Sequence, residues 1–311
     1  MIFTRYEYAN LFHQMTDWYN MYVVGQREKV LGAKITFLFL DGHAKGALDT
    51  AWTHWSRIND DEKKEEGKKM NHRHHHQEGF IRVKHLNSQG TCFHHALLMP
   101  MGYRSPVDIH GMTGSAKRCR NDGQVNDFRM MITKKWLSIP YNDDDDHNND
   151  VSSSIKIKVG MIFRRDYLAH PRAGAGRTTR KISNEMQVVN VLSRLKDDSN
   201  NKWSIEFRSM SLESMPFKKQ VEVVSRQNIL IGVHGAALSH VLWMKPGSDL
   251  IEITSGGYSG RFHFEFFATW AGLRYRKVQV QGGNLINVNT DVLAGIVRDI
   301  ANAHYTSSSP S

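Results

Sequence analysis

Apolar and polar positions in the second half of the chain form a regular pattern that predicts strands and helices in turn. Short apolar runs typical of buried strands lie at 155–163, 204–208, 228–233, 250–253 and 275–280. The three-to-four-residue spacing of amphipathic helices occurs at 185–195, with Asn184 as its predicted cap, and at 217–225, 238–244, 263–271 and 290–303. Strands that alternate with helices favour a parallel, doubly wound α/β sheet.

The first half of the chain carries the same two kinds of pattern. An aromatic-rich segment at 6–24 spaces its large side chains three and four residues apart, which predicts a helix with one apolar face. A strand is expected at 35–40 and a further helix at 47–57. We therefore divide the chain into an N-terminal half over residues 1–142, a C-terminal half over 155–304 and a disordered tail at 305–311.

Two strongly polar segments interrupt these patterns. Residues 59–79 are rich in charges and histidines and are interpreted as a solvated insertion. Residues 143–154 begin with the four aspartates Asp143–Asp146, whose mutual repulsion favours a flexible linker between the halves. Adjacent side chains point in different directions, so His74–His76 are not expected to bind a metal together. The aspartates lack a strand-end context, and we predict no metal site.

The composition adds an excess of positive charge. Lys and Arg number 41 against 31 Asp and Glu, which gives a formal net charge of +10. Such an excess suits an anionic partner, such as a diphosphate, or is simply a basic surface. No nucleic-acid-binding motif is present, so no nucleic-acid partner is expected. No apolar run reaches the roughly 18 residues that a membrane-spanning helix needs, and no signal peptide is recognised at the N-terminus.

The clearest local signal is the point at which the strand 228–233 ends. There the chain runs through His234, Gly235, Ala236 and Ala237 into the next helix. In open α/β sheets ligands bind at the carboxyl ends of strands, and the unpaired N–H groups of a helix start attract anions. We predict that these small residues let a diphosphate approach the backbone, while His234 donates a hydrogen bond to a phosphate or to the leaving group. A purely structural tight turn is the alternative.

Charged side chains at other strand ends extend the predicted site. Arg164 and Arg165 follow the first strand of this half, where arginines can clamp a diphosphate or simply form a surface pair. Glu252 lies near the end of a later strand, where a carboxylate can accept hydrogen bonds from ribose hydroxyls or be buried as a structural group. In the N-terminal half, His13 and Asp17 lie four residues apart on one helix face, as a general base and its partner would, or as a structural pair.

Several of these segments resemble glycosyltransferase family 61, and in particular its branch of plant-type β-1,2-xylosyltransferases of N-glycan processing. The resemblance extends from about residue 6 to 281. The matching segments are Tyr8–His13, Thr16–Tyr19, Phe39–His43, Cys92–Ala96, Gly102–Tyr103, Arg164–Arg172, Ile231–His240, Phe262–Glu265 and Trp270–Leu273. The turn at His234–Ala236 is shared by the whole family, whereas the string Arg164–Arg172 is specific to the xylosyltransferase branch.

The resemblance implies a GT-B architecture, in which two Rossmann-like halves flank the active cleft and the N-terminal half is incomplete here. It implies transfer of xylose from UDP-xylose to O2 of the β-linked core mannose of N-glycans, with inversion. The diphosphate would be stabilised by basic side chains and a helix N-terminus, with no metal or other cofactor required. A Golgi lumenal, type II membrane protein is implied, with its anchor upstream of this sequence. That setting favours a Cys92–Cys119 disulfide.

An inverting transfer needs a proton acceptor, which in GT-B enzymes normally lies in the N-terminal half. We predict Asp17 as the base and His13 as its partner, because the adjacent Trp18 would form an apolar wall for a sugar and raise the basicity of the carboxylate. Asp41 and His43 are the next pair to consider.

Two other functions remain open. The same family contains enzymes that transfer N-acetylglucosamine to protein hydroxyls, and a test of both donors would separate the two activities. A non-catalytic sugar-nucleotide-binding module would bind UDP without turnover.

Overall fold

The computed structural model describes residues 1–31, 33, 35–57, 80–102, 123–139, 155–166, 178–195, 203–258 and 260–308. They form two compact units, of which the first lies within Met1–Ala116 and Asp127–Ser138, and the second within Lys117–Asn126 and Ile139–Ser311. The predicted insertion at 59–79, the predicted linker at 143–154 and the family-specific residues Tyr167–Arg172 lie outside the described residues.

The first unit contains a small parallel sheet whose strands are joined in the order β1-β2-β3. Its elements are β1 (Ile2–Phe3), α1 (Leu11–Arg27), β2 (Phe37–Phe39), α2 (Asp49–Arg57) and β3 (Phe80–Arg82). The rings of Phe3, Phe37 and Phe39 pack edge-on against Trp52 of α2, with centroids 4.9, 5.2 and 5.1 Å away. These aromatic contacts bury the sheet against α2 and provide much of the core of the unit. A further helix, α3 (Gly123–Met130), continues as a π-helix over Met131–Trp136.

Helix α1 begins and ends later than its sequence pattern predicts. The Asn10 side chain accepts a hydrogen bond of 3.0 Å from the backbone N–H of Phe12 and so caps the first turn. The expectation of a single apolar face was wrong, because buried residues occur all around the helix from Leu11 to Tyr22. A helix covered on every side lies inside its unit and not on the surface.

The second unit is built on a five-stranded sheet, all of whose strands are parallel. Its strands are β4 (Ile155–Ile162), β6 (Trp203–Met210), β7 (Ile229–Val233), β8 (Asp249–Ser255) and β9 (Arg274–Val280), and a two-stranded sheet pairs β5 (Lys181–Ile182) with β10 (Leu285–Ile286). Its helices are α4 (Glu185–Ser193), α5 (Phe217–Ser225), α6 (His263–Trp270) and α7 (Thr290–Ser308). Strands β7 and β8 are buried along their whole length, as their apolar sequences predict for central parallel strands.

The order of the five strands places a ligand crevice. In space the order is β6-β4-β7-β8-β9. The second strand along the chain, β6, thus lies on one side of β4, and the third, β7, lies on its other side. This is the doubly wound order in which the first and third strands are neighbours, and ligands bind beyond the carboxyl ends of those two strands. The crevice of this unit therefore lies next to the residues that follow β4 and β7.

The predicted α/β class is confirmed, and parallel sheets in both units accord with a GT-B-like fold. Three details differ from the predictions. The segment after β7 is a 3-10 helix over Ala236–Trp243. The Asn184 side chain does not cap α4, because its amide exchanges two hydrogen bonds with the backbone of Val288. Helix α7 runs to Ser308, so residues 305–308 of the predicted disordered tail are helical. Among the described helices, none has the length and apolar character needed to cross a membrane.

Candidate functional site

The site predicted at the end of β7 lies at the crevice defined by the strand order. Gly235 is extended, with φ 164° and ψ 168°, so its conformation does not require glycine. A Cβ here would lie 2.0 Å from Nη1 of Arg164, so a larger residue would displace the end of that side chain. The backbone of the turn and the Arg164 guanidinium are therefore in direct contact, and the small residue permits that contact.

Arg164 joins two segments that border the crevice. Its Nε donates a hydrogen bond of 2.9 Å to the carbonyl of Thr179, and its Nη1 donates one of 3.3 Å to the carbonyl of His234. The side chain thus extends from the end of β4, which Arg164 follows in the chain, to the end of β7. A guanidinium held there places a positive charge beside Gly235, Ala236 and Ala237, where the predicted diphosphate would lie.

His234 is part of a hydrogen-bonded chain of three side chains. Its Nδ1 contacts Oε1 of Glu252, and Oε2 of Glu252 accepts a hydrogen bond of 2.5 Å from the hydroxyl of Tyr275. Burial and the Glu252 charge raise the pKa of Tyr275, so the phenol keeps its proton and donates it. Because Glu252 engages Nδ1, the other ring nitrogen, Nε2, is the one that can meet a ligand.

The hydrogen bonds of Glu252 to His234 and Tyr275 do not agree with its predicted role. The residue was expected to accept hydrogen bonds from ribose hydroxyls, but it is fully buried and both carboxylate oxygens have protein partners. Its position instead orients the imidazole of His234, as a carboxylate behind a histidine does in many enzyme sites. The register of the sheet explains the pairing, because Glu252 lies opposite Gly232, two residues before His234.

Arg165 is also placed differently from its prediction. Its guanidinium forms a two-pronged ion pair with the carboxylate of Glu185 at the start of α4 and lies 5.5 Å from the Phe163 ring centroid. The hydrogen bonds and charge of Glu185 raise the pKa of Arg165 despite its partial burial. An arginine that is committed to Glu185 has its planar donors occupied, so Arg164 and not Arg165 lies against the turn.

An aromatic and basic group that the sequence did not single out surrounds His234. The His234 ring lies 5.0 Å from that of Tyr258, 5.1 Å from Phe264 and 6.0 Å from His263. Burial and the neighbouring His234 lower the pKa of His263 to about 4, so His263 is neutral at pH 7. Arg180 stacks on Tyr258, with its guanidinium carbon 3.9 Å from the ring centroid. The spacing of these residues from His234 along the sequence forms no recognisable motif, although Arg180 lies in a visibly basic segment.

Comparison with known proteins shows similarity to glycosyltransferases. A family model described as Glycosyltransferase 61 matches residues 115–251, which include the turn after β7. A β-1,2-xylosyltransferase of Arabidopsis thaliana is 29% identical over 301 residues, covering 90% of this chain and 51% of that protein. A β-1,2-xylosyltransferase of Oryza sativa subsp. japonica is 28% identical over 314 residues, covering 95% of this chain and 52% of that protein.

These matches support glycosyltransferase family 61 as the family of this chain. It spans about half the length of these two curated relatives. An EGF domain-specific O-linked N-acetylglucosamine transferase of Drosophila melanogaster is 25% identical over 162 residues, covering 52% of this chain and 26% of that protein. Both kinds of transferase are therefore similar to this chain.

In the first unit, Asp17 lies deep in the interior. The residue is 2% exposed, its carboxyl accepts a hydrogen bond from the backbone N–H of Gly102, and Oδ2 has no partner among the described residues. Burial raises the pKa of Asp17 to about 8, although the charge of Arg5 opposes the shift. The burial leaves an acceptor hydroxyl no access to this carboxyl in the structure, which argues against the predicted role of Asp17 as the base.

The other predicted partners in this unit are placed as follows. Trp18 is fully buried and packs against Trp52 at 6.3 Å, so it forms no wall for a sugar. His13 is half-buried, with its ring 5.1 Å from that of Tyr6 and 5.5 Å from that of Phe12. Of the predicted pair, His13 is therefore the residue that remains near the surface.

Asp41 and His43 belong to a buried ionic network. Arg5 donates to both carboxylate oxygens of Asp41, at 2.7 and 2.9 Å, and also contacts Asp49. Arg82 completes the network by donating to Asp49 at 2.6 Å and to the carbonyl of His43 at 2.8 Å. Burial would raise the pKa of Asp41, but the hydrogen bonds and charge of Arg5 outweigh it and hold that pKa below its ordinary value. The network stabilises the fold, and its carboxylates are already satisfied.

No group of three or more metal-ligating side chains occurs among the described residues. Cys92 is exposed, and its predicted disulfide partner Cys119 lies outside the described residues.

Proposed function

We propose that this chain is part of an inverting glycosyltransferase that transfers xylose from UDP-xylose to O2 of the β-linked core mannose of N-glycans. The observation that carries the proposal is the coincidence of two independent findings. The strand order leads us to expect a ligand beyond the ends of β4 and β7, and the side chains that follow these strands include Arg164 and His234, a cation and an imidazole in contact with a carboxylate. The similarity to two β-1,2-xylosyltransferases covers 90 and 95% of the chain and supports the choice of donor and acceptor.

The reaction is a single in-line displacement. The oxygen of the acceptor hydroxyl forms a bond to the anomeric carbon, and the bond from that carbon to the diphosphate breaks with its electron pair on the departing oxygen. The hydroxyl proton passes to a base, and inversion follows because attack and departure occur on opposite faces. Negative charge therefore grows on the diphosphate, where preorganised donors are most effective.

His234 is suited to receive that charge. With Glu252 behind Nδ1, the imidazole is held in place so that an Nε2–H can donate to the departing phosphate oxygen. Arg164 adds a fixed positive charge on the adjoining backbone. These groups supply the electrostatic stabilisation for which other transferases use a metal ion, and we propose that turnover requires none. For the base we propose His13, the member of the predicted pair that is not fully buried.

A second candidate function is transfer of N-acetylglucosamine to a protein hydroxyl. The observation in its favour is the similarity of about half of the chain to an EGF domain-specific O-linked N-acetylglucosamine transferase. A third is a sugar-nucleotide-binding module that binds UDP without turnover. A secretory-pathway location in the Golgi lumen belongs to the first proposal and follows from its N-glycan acceptor.

The test offers two labelled donors, UDP-xylose and UDP-N-acetylglucosamine, to the purified chain. Each is combined with an N-glycan that carries a free core mannose O2 or with a folded EGF repeat. The proposal expects xylose on the glycan, with the β configuration at its anomeric carbon by NMR. Transfer of N-acetylglucosamine to the EGF repeat would establish the second candidate instead. Binding of UDP with no transfer of either sugar would favour the non-catalytic module.

A further inference from the structure

Arg180 is a partly buried cation whose donors are not all used. Its Nε and Nη1 are shielded from solvent, and neither has a hydrogen-bond partner among the residues that the structure describes. Burying charged donors without an acceptor costs free energy, so native structures usually provide one. The residue also has a backbone φ of 60°, a left-handed conformation that is uncommon for residues other than glycine and asparagine. These features together indicate that the side chain is held in place for a ligand.

The surroundings of Arg180 connect it to the turn after β7. Arg164 donates to the carbonyl of Thr179, the preceding residue, and also to the carbonyl of His234. The Arg180 guanidinium stacks on the Tyr258 ring, and that ring lies 5.0 Å from the ring of His234. Arg180 is therefore linked to the crevice through the backbone on one side and through Tyr258 on the other.

Other arginines of the same unit differ from Arg180 in having carboxylate partners. Arg165 is paired with Glu185, and Arg274 donates twice to Asp249. The segment 167–177, which precedes Arg180 in the chain, contains no Asp or Glu and so cannot supply such a partner. Among the described residues, therefore, no acceptor completes the Arg180 guanidinium, and the segment before it holds no carboxylate that could.

We propose that Arg180 binds the diphosphate of the sugar-nucleotide donor, with Tyr258 as the platform that holds its guanidinium. This inference rests on the proposed function, because that function supplies the diphosphate. Phosphate oxygens are preferred partners of arginine, and stacking on an aromatic ring fixes the plane of the guanidinium while leaving its N–H groups to point outward. The three arginines then have different roles, since Arg164 fixes the turn, Arg165 stabilises the start of α4, and Arg180 contacts the ligand.

The experiment measures binding of UDP and of inorganic pyrophosphate by titration calorimetry at fixed salt. Arg180→Asn removes the charge but tolerates the left-handed backbone, and Arg226→Gln is the matched control because Arg226 is an exposed arginine of the same unit, paired with Glu222. We expect Arg180→Asn to weaken binding of both probes by about ten- to a hundredfold, the range of a charge-assisted hydrogen bond. Arg226→Gln should leave both affinities unchanged.

The platform is tested separately. Tyr258→Phe keeps the ring and should bind UDP like the wild type, whereas Tyr258→Leu should lose affinity in the same direction as Arg180→Asn. If Arg180→Asn does not fold, as judged by its melting temperature, Tyr258→Leu provides the comparison without a change in the 178–180 backbone.

The outcomes separate this inference from the proposed function. Equal UDP binding by the wild type and Arg180→Asn would overturn the inference and leave the proposed function intact. Diphosphate binding that depends on Arg180, in a chain that transfers no sugar, would support the inference and refute the transferase. A wild type that binds neither UDP nor pyrophosphate would overturn the inference directly.

Discussion

Replacing Asp17 by asparagine should remove a pH-dependent loss of stability from the first unit. Burial raises the pKa of Asp17 from 3.8 to about 8 in the folded state. Below about pH 4 both the folded and the unfolded chain hold this proton, so the titration of the carboxyl does not lower the free energy of unfolding. Between about pH 4 and 8 only the folded chain holds it, and the free energy of unfolding falls by about 1.4 kcal/mol for each pH unit. Above pH 8 the loss is complete, on the order of 5 kcal/mol.

The assay compares urea unfolding of the wild type and Asp17→Asn from pH 5 to 7.5. Asparagine is close in shape to a protonated carboxyl and does not titrate, so the variant lacks the slope due to Asp17. The difference in unfolding free energy between the two proteins should therefore change by about 3 kcal/mol across this range, in favour of the variant as pH rises. Asp127→Asn, which removes a carboxyl from an exposed position on α3, is the control for the loss of one acidic group. A constant difference for Asp17→Asn would show that the reasoning from burial is wrong.

Three further predictions concern the second unit and the reaction. Gly235→Ala should displace the Arg164 guanidinium, because the new Cβ would lie 2.0 Å from Nη1, and UDP affinity measured by calorimetry should fall about tenfold, as in Arg164→Ala; unchanged affinity would remove Arg164 from the site. Arg165→Ala should lower the free energy of unfolding by about 0.5–1 kcal/mol, since its ion pair with Glu185 is partly exposed, while UDP affinity stays the same; a loss of affinity would restore Arg165 to the diphosphate. Excess EDTA should leave xylose transfer intact, whereas a loss that Mn²⁺ reverses would contradict the proposed metal-free mechanism.

The sequence was sufficient to predict those parts of the fold that have a strong local pattern. Strand β7 is apolar throughout and β8 has an apolar run at 250–253 interrupted by Glu252, and α5 begins and ends as its periodicity predicts. Strands β1, β5 and β10 have two residues each, too few to display any period, and the sequence did not reveal them. The full burial of α1 was also missed, because periodicity gives the first apolar face of a helix but not what covers the others.

The candidate site likewise has some features that the sequence predicts and others that it does not. The turn at His234–Ala236 could be located because a strand visibly ends there, and the strand order then made it the edge of the crevice. The pairing of His234 with Glu252 could have been predicted from the two neighbouring strand ends, had their register been known. The distinct roles of Arg164, Arg165 and Arg180 depend on which acceptor each guanidinium meets. That information is tertiary and has no signature in the spacing of residues.

The central claim is that a sugar nucleotide binds at the carboxyl ends of β4 and β7. Hydrogen–deuterium exchange of the chain with and without UDP locates the ligand directly, because bound phosphate oxygens accept hydrogen bonds from backbone amides and slow their exchange. We expect UDP to protect the amides of 234–238 and those of 178–180, with little change along the opposite edge of the same sheet. Protection confined to the first unit, or no protection at 234–238 under conditions in which UDP is bound, would contradict the account.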